Sequence, residues 1–416
     1  MPQIQRHVPL ARAHTEAPRY PRPYAPGAVW RKHMRKHPSA MVAMLAIVML
    51  ILAACNGGGE SPAASDPASM APESMAPESM APESEAPDES AEAATIKACM
   101  VSDVGGIDDN SFNENAWLGM EEASDELGAE VSFLESRSAE DYERNIDQHI
   151  ADGCELIITV GFLLGDATAA AAEANPDTRF AIVDFAYDPA LPNVEGLVYN
   201  TAEAAMLAGY ASAAWSKTGT VGTFGGINIG PGVTDFMDGF IAGVNYYNEQ
   251  NDADVRVLGG RDPNNPDSGT FTGNFDSTDD AKNVTLGMLQ EGADVILPVG
   301  GPIGQGTFAA IDEQSADAVG LGVDVDWTLT VPEFSEYMLT SVIKRIDNSV
   351  YQAIERAING EEPEPVFVST LENEGVGIAP FHDYEDEVSQ EVKDAIDEMS
   401  AAIIAGDLSP SDYYGE

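Results

Sequence analysis

Asp103-Val-Gly-Gly-Ile-Asp108-Asp109-Asn110-Ser111-Phe112-Asn113 joins a short apolar run, Ile96 to Val101, to a helical pattern that ends near Leu127-Gly128. The run is bounded and β-prone, so it reads as a buried parallel strand, and the segment as a whole reads as strand, loop and helix. Gly105 and Gly106 permit positive φ and leave no side chain between the backbone and an approaching molecule. Ser111 with Glu114 three residues on has the spacing of a capping box, and Asp108 and Asp109 suit the positive end of the helix. Asp103, Asn110, Phe112 and Asn113 are thereby expected at the carboxyl end of the first strand. In open α/β sheets ligands bind at such strand ends. An ordinary Gly-containing turn with Phe112 packed as core is the competing reading.

The alternation continues downstream. Strands are expected at 130–134, 156–160 and 180–185, with helices over 140–151 and 167–174 between them. After the run 193–199 and an Ala-rich helix, 203–215, a second series begins: strand 220–224, helix 233–247, strand 255–258, helix 279–290, strand 295–299, helix 308–312 and strand 319–323. Alternation of this kind is the signature of doubly wound parallel sheets. Two series imply two similar lobes with a cleft between them, a common place for a ligand. Asp184, Gly300-Gly301 and Asp324 each follow a strand of these series, so they join the candidate site residues. Lys344 is read near the start of an amphipathic helix with the stripe Ile343, Ile346, Val350, Ile354 and Ile358, either solvated and paired with Asp347 or Asp324, or in the site.

The chain of 416 residues has 20 basic and 70 acidic side chains, and from Cys55 onward 12 basic residues face 69 acidic ones, a net −57. Such a balance excludes a nucleic-acid surface, which needs clustered Lys and Arg. It favours solubility and tolerance of high salt and gains nothing for capture of an anion.

Residues 1–54 differ in composition. Arg31, Lys32, Arg35 and Lys36 precede the apolar run Met41 to Leu52, which ends in Leu52-Ala53-Ala54-Cys55. A basic region, a short apolar region and small residues before a break read as an export signal, and the run is short for a bilayer span. Met34, followed by Arg35-Lys36, is an alternative start. Residues 55–94 contain three consecutive copies of Met-Ala-Pro-Glu-Ser, from Met70 to Ser84, and are expected to form an extended tether. Cys99 and Cys154 lie near the amino ends of strands expected to be neighbours, so a disulfide and two buried free thiols both stay open. No Cys-x-x-Cys pattern or Cys/His cluster is present, so no metal is expected, and no cofactor either.

Taken together, the stretch 103–113, Gly161-Phe162, Phe180-Ala-Ile-Val-Asp184, Gly222-Thr-Phe-Gly-Gly226, Gly292-Ala-Asp-Val-Ile, Gly322-Val-Asp-Val-Asp-Trp327 and Thr340-Ser-Val-Ile-Lys-Arg345 resemble the basic membrane protein family. The resemblance runs from about Ile96 to Ala379. Leu-Ala-Ala-Cys55 likewise resembles a bacterial lipobox, in which the Cys is lipidated. The family consists of lipoprotein substrate-binding components of ABC importers, including the purine nucleoside receptor. It implies an α/β, type I periplasmic-binding-protein fold of two doubly wound lobes joined by a hinge. On this sequence the lobes are expected as 95–199 with 327–362 and 200–326 with 363–416, hinged near Tyr199-Asn200, Asp326-Trp327 and Glu364.

By the same resemblance Phe112 and Phe275 stack on a purine base, with Phe271 the competitor of Phe275. Asn113 and Asp184 hold base edges, and Asp324, Gly300, Gly301 and Lys344 meet the ribose. It implies a lipid-anchored protein on the extracytoplasmic side of the membrane, periplasmic or outer face, delivering its ligand to an ABC permease, and a tethered monomer is the default. A sugar or other polar-solute receptor on the same fold is the alternative. A nucleoside hydrolase, whose Asp-rich motif the loop 103–109 resembles, is disfavoured by an extra residue before Asp108-Asp109. Catalytic motifs such as Gly-x-Ser-x-Gly and His-Glu-x-x-His are absent, so the expected protein is not an enzyme.

Overall fold

The computed structural model describes residues 95–414, which lie within one compact unit. The expected signal, Cys55 and the tether lie outside the described residues. From Lys97 the chain alternates strands and helices: β1 (Lys97–Val101), α1 (Phe112–Leu127), β2 (Glu130–Leu134), α2 (Ala139–Ala151), β3 (Leu156–Val160), α3 (Gly165–Ala174), β4 (Arg179–Val183) and β5 (Val194–Tyr199). The second series is α4 (Thr201–Trp215), β6 (Thr220–Gly225), α5 (Pro231–Asn251), β7 (Arg256–Leu258), α6 (Thr278–Gln290), β8 (Val295–Val299), α7 (Gln305–Gln314) and β9 (Val319–Asp324). Then come a short helix, α8 (Trp327–Thr330), β10 (Met338–Lys344), α9 (Ile346–Ile358), β11 (Val366–Ser369), β12 (Val376–Ile378), α10 (Gln390–Ala405) and α11 (Pro410–Tyr413).

Two sheets result, in the orders β11-β5-β4-β3-β1-β2 and β12-β10-β9-β8-β6-β7. Within the first all pairings are parallel, and in the second only β12 runs antiparallel, against β10. Central strands such as β3 and β8 are buried along their whole length, as required of parallel strands covered by helices on both faces. The orders match position by position, so β4 corresponds to β9, β3 to β8, β1 to β6 and β5 to β10.

The closing segments depart from the expected division. Residues 327–362 were assigned to the first lobe, but β10 lies in the second sheet, with Ile343 opposite Asp324. Conversely, β11 lies in the first sheet beside β5, although 363–416 was assigned to the second. The apolar run 339–343 merges with the helical stripe that begins at Ile346, and only Arg345 separates strand from helix, which hid the strand. The crossings between sheets therefore fall at Asn200, Arg345 and 370–375 rather than near Asp326-Trp327 and Glu364. Backbone bonds knit them together: Asn200 N–H donates to Ser369 O at 2.8 Å, Arg345 N–H to Gly375 O at 2.9 Å, and Gly375 N–H to Thr370 O at 2.9 Å.

Cys99 and Cys154 are joined by a disulfide with a Cα–Cα separation of 6.0 Å, which decides between the two open readings. The second sheet is backed by the closely packed pair α4 and α5. A Cβ at Gly243 would stand 2.0 Å from the Met206 carbonyl oxygen, and one at Gly209 2.1 Å from that of Phe240. Glycine is what lets these two backbones touch. Gly243→Val is expected to cost about 3 kcal/mol by overpacking, read from urea unfolding. A loss under about 0.5 kcal/mol would show that the pair can part without penalty.

Candidate functional site

Each sheet ends, on the side where β1 and β6 terminate, in loops that face one another across a cavity with about 600 Å³ of atom-free space, its open mouth included. The loop after β1 is organised by Asp109. Its carboxylate accepts from the N–H groups of Ser111 (2.9 Å), Asn113 (2.9 Å) and Glu114 (3.1 Å), so Asp109 rather than Ser111 caps α1. The expected capping box is absent because the Ser111 hydroxyl is used elsewhere. It donates across the cleft to Asp324 Oδ2 at 2.8 Å and to Val323 O at 3.2 Å.

Asn113 is also committed within its loop. Its amide donates to Asp103 Oδ1 (2.8 Å) and Asp109 Oδ2 (3.1 Å) and accepts from Asp103 N–H (3.3 Å), so it positions carboxylates instead of presenting a free edge. Asn110 does not line the cavity: its backbone is left-handed, φ 57°, and its carbonyl accepts from the Thr330 hydroxyl. Asp103 does line it. A Cβ at Gly161 would come within 3.0 Å of Asp103 Oδ2, so glycine is needed where this carboxylate meets the loop after β3.

Asp184 and Asp324 occupy equivalent places, at the ends of β4 and β9, and both have positive φ, 63° and 70°. Non-glycine residues held in that region are uncommon and concentrate at functional sites. Behind Asp324, the buried indole of Trp327 donates to Val323 O at 2.8 Å and fixes the strand end. Lys344 ends β10, not the first turn of a helix, and its side chain is 1% exposed. The ammonium donates to both oxygens of Asp184, at 2.7 and 3.0 Å, an ion pair that joins the two sheets. It pairs with neither Asp347 nor Asp324. The rings of Phe112, Tyr199 and Phe236 stand around it with centroids 5.4, 5.2 and 5.2 Å away, within cation–π range.

Phe112 and Phe275 both line the cavity, from the first and second sheet respectively. Phe275 lies over Gly226, where a Cβ would meet its ring at 2.4 Å, whereas Phe271 packs against Gly225 and is absent from the lining. Gly300 and Gly301 line the same wall, and a Cβ at Gly301 would stand 3.9 Å from the Phe112 and Ser111 side chains. Phe162, Ile229, Val233 and Phe236 add to the apolar lining and were not named as site residues from the sequence. Gly161-Phe162 was visible as a motif; Phe236 sits in a helical stripe that carries no signal of its own.

Among the lining residues Lys344 is the single cation, against Asp103, Asp109, Asp184 and Asp324. Burial, opposed by its bonds to Asn113 and Gly105, raises the Asp103 carboxyl to about 6; burial, opposed by Lys344 and Ser111, brings Asp324 to the same value. Burial also raises Asp184 despite Lys344, and raises Asp109 despite its N–H donors. A cavity so rich in acceptors and poor in donors suits a neutral, donor-rich molecule with flat apolar faces and repels phosphate.

Two facing α/β sheets with an aromatic and carboxylate cavity between them define a solute-binding protein. A family model for PnrA-like ABC transporter substrate-binding proteins matches residues 96–409. The chain belongs to this family, the Bmp family of ABC transporter substrate-binding proteins. It is 29% identical over 331 residues to the ABC transporter nucleoside-binding protein BmpA of Lactococcus lactis, covering 76% of this chain and 88% of that protein. With an uncharacterized lipoprotein of Pyrococcus abyssi it shares 28% identity over 353 residues, 83% of this chain and 77% of the relative. The crystal structure of an ABC transporter solute-binding protein from Aeropyrum pernix superposes with a TM-score of 0.68 at 26% identity, covering 76% of this chain and 92% of that one. The family, the Lactococcus relative and the Aeropyrum structure are substrate-binding proteins, not enzymes. Among the described residues no helix is long and apolar enough to cross a membrane.

Proposed function

We propose that this substrate-binding protein captures a purine nucleoside and delivers it to a membrane permease from a lipid anchor at Cys55. The observation that carries the reading is the convergence on one cavity of two phenylalanines from opposite sheets, Phe112 and Phe275, with Asp184, Asp324 and Lys344. A purine offers two faces for stacking, worth about 1–3 kcal/mol per ring in comparable contacts. Its N–H groups and the ribose hydroxyls are donors, which carboxylates accept. The three adjacent crossings at Asn200, Arg345 and 370–375 supply a hinge, and ligand contacts from both sides favour approach of the lobes. The name of the Lactococcus relative points the same way, and the lipoprotein relatives support the anchor.

Calorimetric titration with adenosine, guanosine, inosine, uridine, ribose and glucose, followed by chromatography of each mixture, tests the reading. Purine nucleosides are expected to bind tightly and to be recovered unchanged. Binding of sugars alone would move the assignment to another solute, and recovery of free base and ribose would make the protein a hydrolase.

The pH dependence follows from Asp324, raised to about 6 by burial. A ligand that donates to the ionised carboxylate binds the deprotonated protein, so affinity is full well above pH 6, halved near it, and falls further as pH drops. Between pH 7.5 and 5 the nucleoside Kd is expected to rise on the order of tenfold. An unchanged Kd across that range would remove ionised Asp324 from the binding reaction.

A further inference from the structure

Between β7 and α6 the chain leaves the second sheet at Gly259 and returns to it at Thr270, and this arm carries Phe275 to the cavity. Backbone bonds fix the return: Thr270 N–H donates to Gly259 O at 3.0 Å, Gly225 N–H to Thr270 O at 2.9 Å, Thr272 N–H to Gly225 O at 2.9 Å and Gly273 N–H to Gly226 O at 2.8 Å. The turn between is closed on itself, with Asp262 N–H donating to the Ser268 hydroxyl at 2.7 Å and Ser268 N–H to Asn265 O at 2.9 Å. Arg261 ties that turn to the body of the lobe. Its guanidinium forks, Nη1 donating to Asp238 Oδ2 of α5 at 2.5 Å and Nη2 to Pro266 O at 3.3 Å. Asn228, beside the lining residue Ile229, donates to the same Pro266 O at 3.0 Å. We propose that Arg261 is a positioning residue for ligand binding: its clasp on Asp238 and Pro266 holds the arm in the register that sets Phe275 over Gly226 as one face of the cavity.

The clasp is built into the protein, not laid on its surface. The Arg261 and Asp238 side chains are 10% and 17% exposed, and the Arg261 stem lies against Gly269, where a Cβ would stand 2.7 Å from its Cγ. Tyr414, just past α11, stands beside the pair; burial and the nearby Asp238 charge hold its phenol up to about 12, so it adds no charge of its own. Asp238 Oδ1, Arg261 Nε and the Tyr414 hydroxyl are buried without a hydrogen-bond partner among the described residues. Apolar side chains of similar volume would hold the arm at least as firmly as a buried pair left under-bonded in this way. What the guanidinium fork adds is one permitted placement of Asp238 and Pro266 O, hence one register for the chain that follows. Register matters here because 270–273 lies along the end of β6 as a strand would, and a slip of one residue turns its side chains to the opposite face.

The inference rests on the reading of the cavity as a purine nucleoside site, and the test separates the two. Arg261→Met with Asp238→Asn removes the clasp and leaves no buried charge behind; Asn228→Ala, a milder change, removes the second bond to Pro266 O and carries the test if the double variant does not fold. In the parent background the first should weaken inosine binding about tenfold and the second about threefold, by calorimetry. In a Phe275→Ala background the same changes should weaken it less than about twofold, whereas in Phe112→Ala, on the opposite wall, they should keep their full effect. Without ligand, hydrogen exchange of the Thr272 and Gly273 amides should quicken at least about tenfold in the clasp variants, relative to the amides of β8. An equal loss of affinity with and without Phe275, or unchanged exchange at those amides, overturns the role. If the parent binds no purine nucleoside, the reading of the cavity falls, and the exchange comparison alone decides for Arg261.

Discussion

Lys344→Met should destabilise the protein by about 3–5 kcal/mol at pH 7.5, the loss incurred when one partner of a buried ion pair is removed and the other remains. Lys344 is 1% exposed and gives both of its ion-pair bonds to Asp184, whose side chain is 8% exposed. Methionine fills similar volume among the Phe112, Tyr199 and Phe236 rings, so the loss is electrostatic and not a packing defect. What remains is an unpaired carboxylate in a cavity already crowded with three others.

The pH dependence separates this cause from a generic one. Burial raises Asp184 and brings Asp103 and Asp324 to about 6, and losing Lys344 raises Asp184 and Asp324 further. A raised carboxyl binds more protons folded than unfolded, so its penalty is full above the folded value and disappears as pH falls toward the unfolded one. The gap between Lys344→Met and the parent should therefore shrink between pH 7.5 and 5, in denaturant titrations at each pH. The double change Lys344→Met with Asp184→Leu should recover most of the loss at pH 7.5, because apolar replacements for both partners leave no charge to bury. A gap independent of pH, with no recovery in the double variant, would mean that Lys344 matters for its shape.

Much of the fold and of the site is legible in the sequence. The bounds of β2, β3 and β8 coincide with the sequence reading, because each is a short apolar run punctuated by glycine or by polar turns. Phe112, Asp184 and Asp324 declared themselves by a shared place at strand ends. Lys344 was found by resemblance, but its partner was not, since Asp184 lies 160 residues away in the other sheet. No local pattern records such a pairing. Strand β11 stayed hidden for a related reason: it belongs to the first sheet, whereas its neighbours in sequence, β10 and β12, belong to the second. Ser111 shows the same limit at one residue. Its spacing to Glu114 satisfies a capping rule, yet the hydroxyl goes to Asp324, 213 positions on.

Asp324→Ala should weaken purine nucleoside binding on the order of 100-fold, yet leave the free protein as stable as the parent or more so at neutral pH. The two outcomes have one origin. Burial holds the Asp324 carboxyl at about 6, so the protein is stabilised less with it ionised at pH 7 than it would be with a neutral group there. Deleting it also relieves repulsion with Asp184 and Asp109, and Ser111 keeps its bond to Val323 O at 3.2 Å. A ligand hydroxyl aimed at Asp324 loses its acceptor, and that loss is felt only on binding. Phe112→Ala should differ: a stacking face worth about 1–3 kcal/mol goes, and some packing around Lys344 goes with it, so affinity and stability fall together. Calorimetry and thermal unfolding on both variants read the two quantities independently. Near-parental affinity in Asp324→Ala and Phe112→Ala would defeat the assignment of this cavity as the nucleoside site; weak binding of Asp324→Ala with a lowered unfolding temperature would make Asp324 a structural residue, because a strained, raised carboxylate is retained against its stability cost only where the ligand uses it.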